Sequence, residues 1–193
     1  MVAALSVPTA EGALFEVDTR LRPSGTQGPP AASLDSFARY QREQAWTWEH
    51  MALARARPVY GSAQGRAELA ETVRTLLRMP RDPAKLRADV LEMRATMVQH
   101  KPAKGPLDIK LARGGLVDLE FVTHYLQLQS HAGLSPSLAA ALAQLAEAGL
   151  IAPEIIGAHA TLVRFLVAAR LLAPDSQVPP GAARAALARA APG

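Results

Sequence analysis

Glu16, Asp18, Arg20 and Arg22 are four charged residues at alternate positions, in the only strong strand pattern of the chain, residues 12–25. Side chains in a strand alternate between faces. Phe15, Val17, Thr19 and Leu21 would therefore share a packing face, while two carboxylates and two guanidiniums form a row on the other. A carboxylate can hold a divalent cation, and a planar guanidinium can fork onto phosphate oxygens. The row suits phosphoryl or nucleotidyl transfer. A solvated strand face with cross-strand ion pairs would have the same spacing. Pro23-Ser24-Gly25 predicts a turn that ends the strand.

Two further stretches hold reactive side chains. Residues 45–57 contain both tryptophans, Trp46 and Trp48, with Glu49, His50, Arg55 and Arg57. Core packing is the expectation for the tryptophans and a structural role for His50. Arg55 and Arg57 suit either phosphate contact or surface ion pairing. In residues 107–126, Gly114-Gly115 opens a helix on which Asp118 falls beside Phe121, Val122, Tyr125 and Leu126, with Glu120 on the opposite side. A carboxylate on an apolar face needs a partner. Free amides of the first helical turn could serve Asp118; so could Lys110 or an arginine of the strand row. Glu120 and His124, one turn apart, could form a solvated face.

The elements that would position these groups are mostly helices. Ser33 is an N-cap for a helix to about Gln44, and residues 45–57 form a second that Pro58 ends. Leu69, Val73, Leu76 and Leu77 give helical spacing within 65–79. Asp82 caps another helix with Pro83 in its first turn and a Leu86, Val90, Met93, Met97 stripe. Ser135-Pro136 predicts the start of a helix to Gly149, and Pro153 opens the next, so the two make an αα-hairpin. His159, on the apolar face of that last helix, is expected to pack. An alanine-rich helix over 182–191 has few apolar anchors.

With 193 residues and 49% hydrophobic content the chain can build one good-sized core. A net charge of +4, scattered basic residues and 5% aromatics argue against a nucleic-acid surface. No cysteine is present, which removes disulfide and thiolate-metal chemistry and fits a reducing cytoplasm. The start lacks a signal-peptide pattern. Glu147, Glu154, Arg164 and Arg170 interrupt the apolar stretch 134–173, so no membrane span is expected.

The order of Leu14-Phe-Glu-Val-Asp-Thr-Arg-Leu-Arg-Pro-Ser-Gly25, Glu43-Gln-Ala-Trp-Thr-Trp-Glu-His50, Ala54-Arg-Ala-Arg-Pro-Val-Tyr-Gly61, Asp108-Ile-Lys110 and Gly114-Gly-Leu-Val-Asp-Leu-Glu-Phe121 is familiar. Over about residues 5–170 the chain resembles the bacterial glutamine synthetase adenylyltransferase/adenylyl-removing enzyme, and the Trp-Thr-Trp-Glu-His run is more like its C-terminal transferase half. The resemblance implies a mainly α (α+β) fold. Residues 1–61 would be the C-terminal part of a polymerase-β-type nucleotidyltransferase domain with a remnant of its sheet, and residues 62–193 a helical bundle related to that of the PII uridylyltransferase.

It also implies ATP and Mg2+ as cofactors, glutamine synthetase and the PII signal protein as partners, and attack of a tyrosine hydroxyl on the α-phosphate of ATP. Asp18 matches the third metal-holding carboxylate of the family; Arg20 and Arg22 follow it as phosphate contacts. Lys110, Asp118 and Glu120 match a motif without an assigned role. The family's upstream D-x-D pair has no counterpart here, since Gly61-Ser62 precedes no carboxylate pair. The expectation is a chain truncated at both ends and inactive alone. A nucleotidyltransferase acting on PII and a noncatalytic helical interaction module are the alternatives.

Overall fold

The computed structural model describes residues 7–10, 12–13, 23, 25, 28–29 and 31–190. The expected strand over 14–22 lies outside them, and with it the predicted remnant of a nucleotidyltransferase sheet. The described strand structure is a two-residue ladder in which β1, Pro8–Thr9, pairs antiparallel with β2, Gly12–Ala13. The remaining order is helical: α1 Leu34–Glu43, α2 Thr47–Leu53, α3 Ala63–Leu77, α4 Pro83–His100, α5 Leu116–Ser130, α6 Leu138–Glu147, α7 Glu154–Leu172 and α8 Gly181–Ala190. The mainly α class expected from the sequence is what the chain adopts.

Compactness divides the chain into residues 1–45 and 46–193. α2 lies in the second unit, where it buries His50, Met51 and Leu53 and packs on α3, α4 and α5. In the first unit, Ser33 caps α1 by accepting from the Ser36 amide at 3.2 Å. Ala38 and Gln41 are its buried residues.

In the second unit the helix starts follow cap chemistry. Ser62 accepts from the Gly65 amide at 3.1 Å and Asp82 from the Lys85 amide at 2.7 Å, which satisfies donors the first turn leaves free. Two predicted boundaries move. α2 ends at Leu53, where Arg55 N–H bonds the Ala52 carbonyl and Ala56 N–H the Leu53 carbonyl, so the chain tightens into turns before Pro58. α6 is capped by Ser137 instead of Ser135, whose carbonyl is drawn toward Gln127.

α5 is the central element, in contact with α2, α4, α6 and α7. Leu128 of this helix is fully buried, as are Leu76, Leu142 and Leu145 of α3 and α6. The αα-hairpin of α6 and α7 forms as expected. At the far end, α8 anchors through Leu187, which packs with Ala169, Ala173, Phe165 and Leu172.

Leu145 has no exposed surface and lies against Gly133. Truncating it should cost about 2–5 kcal/mol, the range for emptying a well-packed leucine site. Urea unfolding of Leu145→Ala, followed by circular dichroism, is expected to show a lower midpoint with native helix content retained.

Candidate functional site

The loop before α5 folds back onto the start of that helix. Leu116 N–H bonds the Ile109 carbonyl at 3.0 Å and Val117 N–H the Lys110 carbonyl at 3.1 Å, so the first-turn donors are filled by the loop's own backbone. This turn requires both glycines. Gly114 has φ +77°, and a Cβ on Gly115 would strike the Ile109 carbonyl and stand 2.8 Å from that of Ala112. Asp108 holds the loop from inside, accepting from the Leu111 and Lys104 amides at 3.1 Å each.

Asp118 lies at the third position of α5 and is partnered on both oxygens. Oδ2 accepts from the Gly114 amide at 2.6 Å, and Oδ1 accepts from Arg94 Nε of α4. Arg94 Nη2 also reaches the Leu111 carbonyl at 3.3 Å. Of the partners expected for Asp118, Lys110 is not the one found, and the strand arginines lie outside the described residues. Arg94 is the partner, and Lys110 is exposed and contributes its carbonyl. Nothing in the sequence spacing between 94 and 118 marks this pair, because it depends on α4 and α5 lying side by side.

Glu120 faces α2, where Oε1 stands 3.6 Å from Arg55 Nη1. Of the two roles open to Arg55, surface ion pairing is the one seen. Arg57 is exposed. The predicted wheel is inverted: Val122 is half-exposed, whereas Leu116, Val117, Thr123, His124, Gln127 and Leu128 are buried. A helix covered by four neighbours has no single apolar stripe to find.

His124 is thus not on a solvated face. Gln127 Nε2 donates to the Gly133 carbonyl at 2.6 Å and lies 3.4 Å from that of Ser135, which turns its Oε1 toward His124 Nδ1 at 2.8 Å. Nδ1 must then carry the proton. Nε2 is buried with no hydrogen-bond partner among the described residues. Burial pushes the imidazole pKa below its usual value; the Arg55 charge acts the same way, and the Gln127 bond and Glu120 oppose them.

Two more ties fix α2. Thr47 Oγ1 donates to Asp89 Oδ2 at 2.5 Å, and Lys85 Nζ lies 2.8 Å from the same oxygen. Hydrogen bonds from Lys85 and then Thr47 hold the Asp89 carboxyl below the ordinary range. Arg81 donates to the carbonyls of Leu76, Leu77 and Met79, closing the C-terminus of α3, and to His50 Nδ1 at 3.3 Å. Burial lowers the Arg81 pKa. His50 is structural, as expected. The tryptophans are not core residues: Trp46 is 72% exposed and Trp48 43%, because the short α2 turns His50, Met51 and Leu53 inward.

Asp18, Arg20 and Arg22 lie outside the described residues. Among those described, no three histidine, aspartate or glutamate side chains converge as a metal would require. Asp89 and Asp118 are already saturated by cations and donors. The described part of the chain does not fit a magnesium site; of its charged pairs, Arg94–Asp118 and Arg55–Glu120 join different segments, whereas Arg74–Glu71 and Lys85–Asp89 lie within single helices. One helix, α7, is long and apolar enough by length and composition to cross a membrane, which the interrupting charges did not lead one to expect. It carries Arg164 and Arg170 and packs against α5, α6 and α8.

The family described as Glutamate-ammonia ligase adenylyltransferase matches residues 1–72, and GlnD PII-uridylyltransferase matches residues 84–172. The chain is similar to the bifunctional glutamine synthetase adenylyltransferase/adenylyl-removing enzyme of Brucella suis, 42% identical over 191 residues, covering 94% of this chain and 19% of the relative. The Agrobacterium fabrum enzyme of the same description is 52% identical over 128 residues, 66% of this chain and 13% of the relative. That of Xanthobacter autotrophicus is 41% identical over 202 residues, 98% and 20% respectively. The chain belongs to the glutamine synthetase adenylyltransferase family, and it spans a fifth or less of the length of these curated relatives.

Two stability effects follow from the site. Asp118→Ala strands Arg94 and the Gly114 amide and should cost about 2 kcal/mol, the scale for a hydrogen bond to a charged group; a double-mutant cycle with Arg94→Ala should return a coupling of about 1 kcal/mol or more. His124, with its folded pKa lowered, adds stability above its unfolded pKa of about 6.5 that is lost as pH falls from there through the folded value. Urea midpoints between pH 8 and pH 5 should therefore fall more steeply for the parent chain than for His124→Gln.

Proposed function

We propose that this chain is part of an enzyme that transfers AMP from ATP to a tyrosine of glutamine synthetase and so regulates nitrogen assimilation. The observation that carries this reading is the 42% identity across 94% of the chain to a protein described by that activity. Asp18 is the metal-holding carboxylate in this reading, with Mg2+ and ATP as cofactors. Arg20 and Arg22, two and four residues on, would meet phosphate oxygens. The phenol of a tyrosine has an unperturbed pKa of about 10, so transfer near neutral pH needs a base or charge neutralisation, roles the same row of residues can fill.

Residues 1–61 then belong to the nucleotidyltransferase domain and 62–193 to its helical companion, with the enzyme working in the cytoplasm. Lys110, Asp118 and Glu120 are positioning residues in this scheme: the last two tie the start of α5 to α4 and α2, and Lys110 lends a backbone carbonyl. The match of residues 84–172 to the PII-uridylyltransferase family supports PII as a second partner and gives the alternative of transfer to PII itself, which would use UTP.

The chain holds Asp18 but no D-x-D pair, so alone it is expected to be inactive. Incubation with α-labelled ATP, magnesium and glutamine synthetase should leave the synthetase unlabelled. A chimaera in which this chain replaces the matching stretch of the Brucella suis relative should label it, and Asp18→Asn should lower that rate by about a hundredfold or more. Full labelling by the Asp18→Asn chimaera would remove Asp18 from the site. A chimaera that folds, binds the synthetase and transfers nothing would favour a noncatalytic interaction module.

A further inference from the structure

Among the described residues, α7 of the second unit keeps apolar side chains exposed along its outer side. α7 turns Phe165, Ala168, Ala169 and Leu172 toward α8 and its neighbours, yet only 6% of its most apolar window is buried. Val163, Val167 and Leu171 are 40%, 56% and 78% exposed, in line with exposed Ile156 and Ala160. At 100° per residue these five residues fall within about 80° of arc, and at 1.5 Å per residue they extend for about 22 Å. That is a narrow seam of the kind one helix lays against another.

Arg164 stands on one flank of the seam and Arg170 on the other. Arg164 Nε donates to the Ala190 carbonyl at 3.1 Å, and Arg170 is exposed. Neither has a carboxylate within ion-pair distance among the described residues. α8 adds the exposed Arg184 and Arg189, whereas the one acid on the two helices, Glu154, sits at the opposite end of α7 from Arg170.

We infer that the outer face of α7 docks an amphipathic helix whose apolar seam is flanked by carboxylates. Apolar burial supplies the attraction, and the two flanking guanidiniums supply the preference for acid. A second copy of this chain is a poor occupant, since like faces would bring four arginines together. A lipid surface is also a poor one, because Ile155, Leu162, Phe165 and Leu166 are partly buried, which leaves a strip narrower than a broad amphipathic face.

The test uses the full chain and two labelled synthetic helices of about three heptads. Both carry leucine at the a and d positions; one has glutamate at e and g and the other lysine. Fluorescence anisotropy should show saturable binding of the glutamate helix and at least tenfold weaker binding of the lysine helix. Val167→Asp, at an exposed position, should weaken binding by about tenfold or more while leaving the thermal midpoint unchanged. Arg164→Glu with Arg170→Glu should reverse the preference between the two helices. Equal affinity for both helices, or indifference to Val167→Asp, would overturn the proposal. So would self-association in sedimentation that Val167→Asp abolishes, or binding to phosphatidylserine vesicles with none to either helix.

Discussion

The contact on which the bundle most depends is the pairing of Arg94 with Asp118. It joins the middle of α4 to the first turn of α5, and each partner has further duties: Arg94 reaches the Leu111 carbonyl, and Asp118 takes the Gly114 amide. Two helices and the loop before α5 are therefore fixed by one charged pair that is mostly, but not fully, withdrawn from water. Partial solvation matters. A fully buried pair loses much of its attraction to desolvation, whereas this one keeps a hydrated edge and adds neutral hydrogen bonds on both sides.

The same device recurs around α2, which is too short to hold its place by apolar contact alone. Seven residues bury Met51 and Leu53, and the rest of the anchoring is polar: Thr47 to Asp89, His50 to Arg81 and Arg55 to Glu120. Each tie reaches a different element, α4, the α3–α4 turn and α5. A rotation of α2 that preserved one would break the others, so three weak contacts specify an orientation that none could specify singly. The price is that Trp46 and Trp48 are turned outward.

What the sequence made legible followed from local rules. Ser33 and Asp82 were legible as caps because each offers a side-chain acceptor one residue before a helix, and Gly114-Gly115 marked a turn that needs two glycines. The Ser62 cap was not legible, since Ser62 stood out only beside Gly61 in an incomplete Gly-Ser motif. The partner of Asp118, the outward tryptophans and the buried side of α5 were not legible. They depend on which helices lie beside one another, and a helix surrounded by four neighbours buries polar and apolar residues alike. The row of Asp18, Arg20 and Arg22 is a different case, being clear as a pattern but outside the described residues.

His124 and Gln127 show why polar side chains occupy the interior of α5. The segment from His131 to Ser137 must pass under α6, and the carbonyls of Gly133 and Ser135 face inward, where an unmet acceptor is costly. Gln127 satisfies them, and its own carbonyl then has to be met, which is the role of the His124 proton. Replacing the pair with leucines would gain apolar area but take the Gln127 donor from both carbonyls, leaving that of Gly133 with the Ser135 amide alone. The polarity of the core thus follows from the loop it supports. Burial favours the neutral ring of His124, because a second proton would sit on the buried Nε2, which has no hydrogen-bond partner among the described residues.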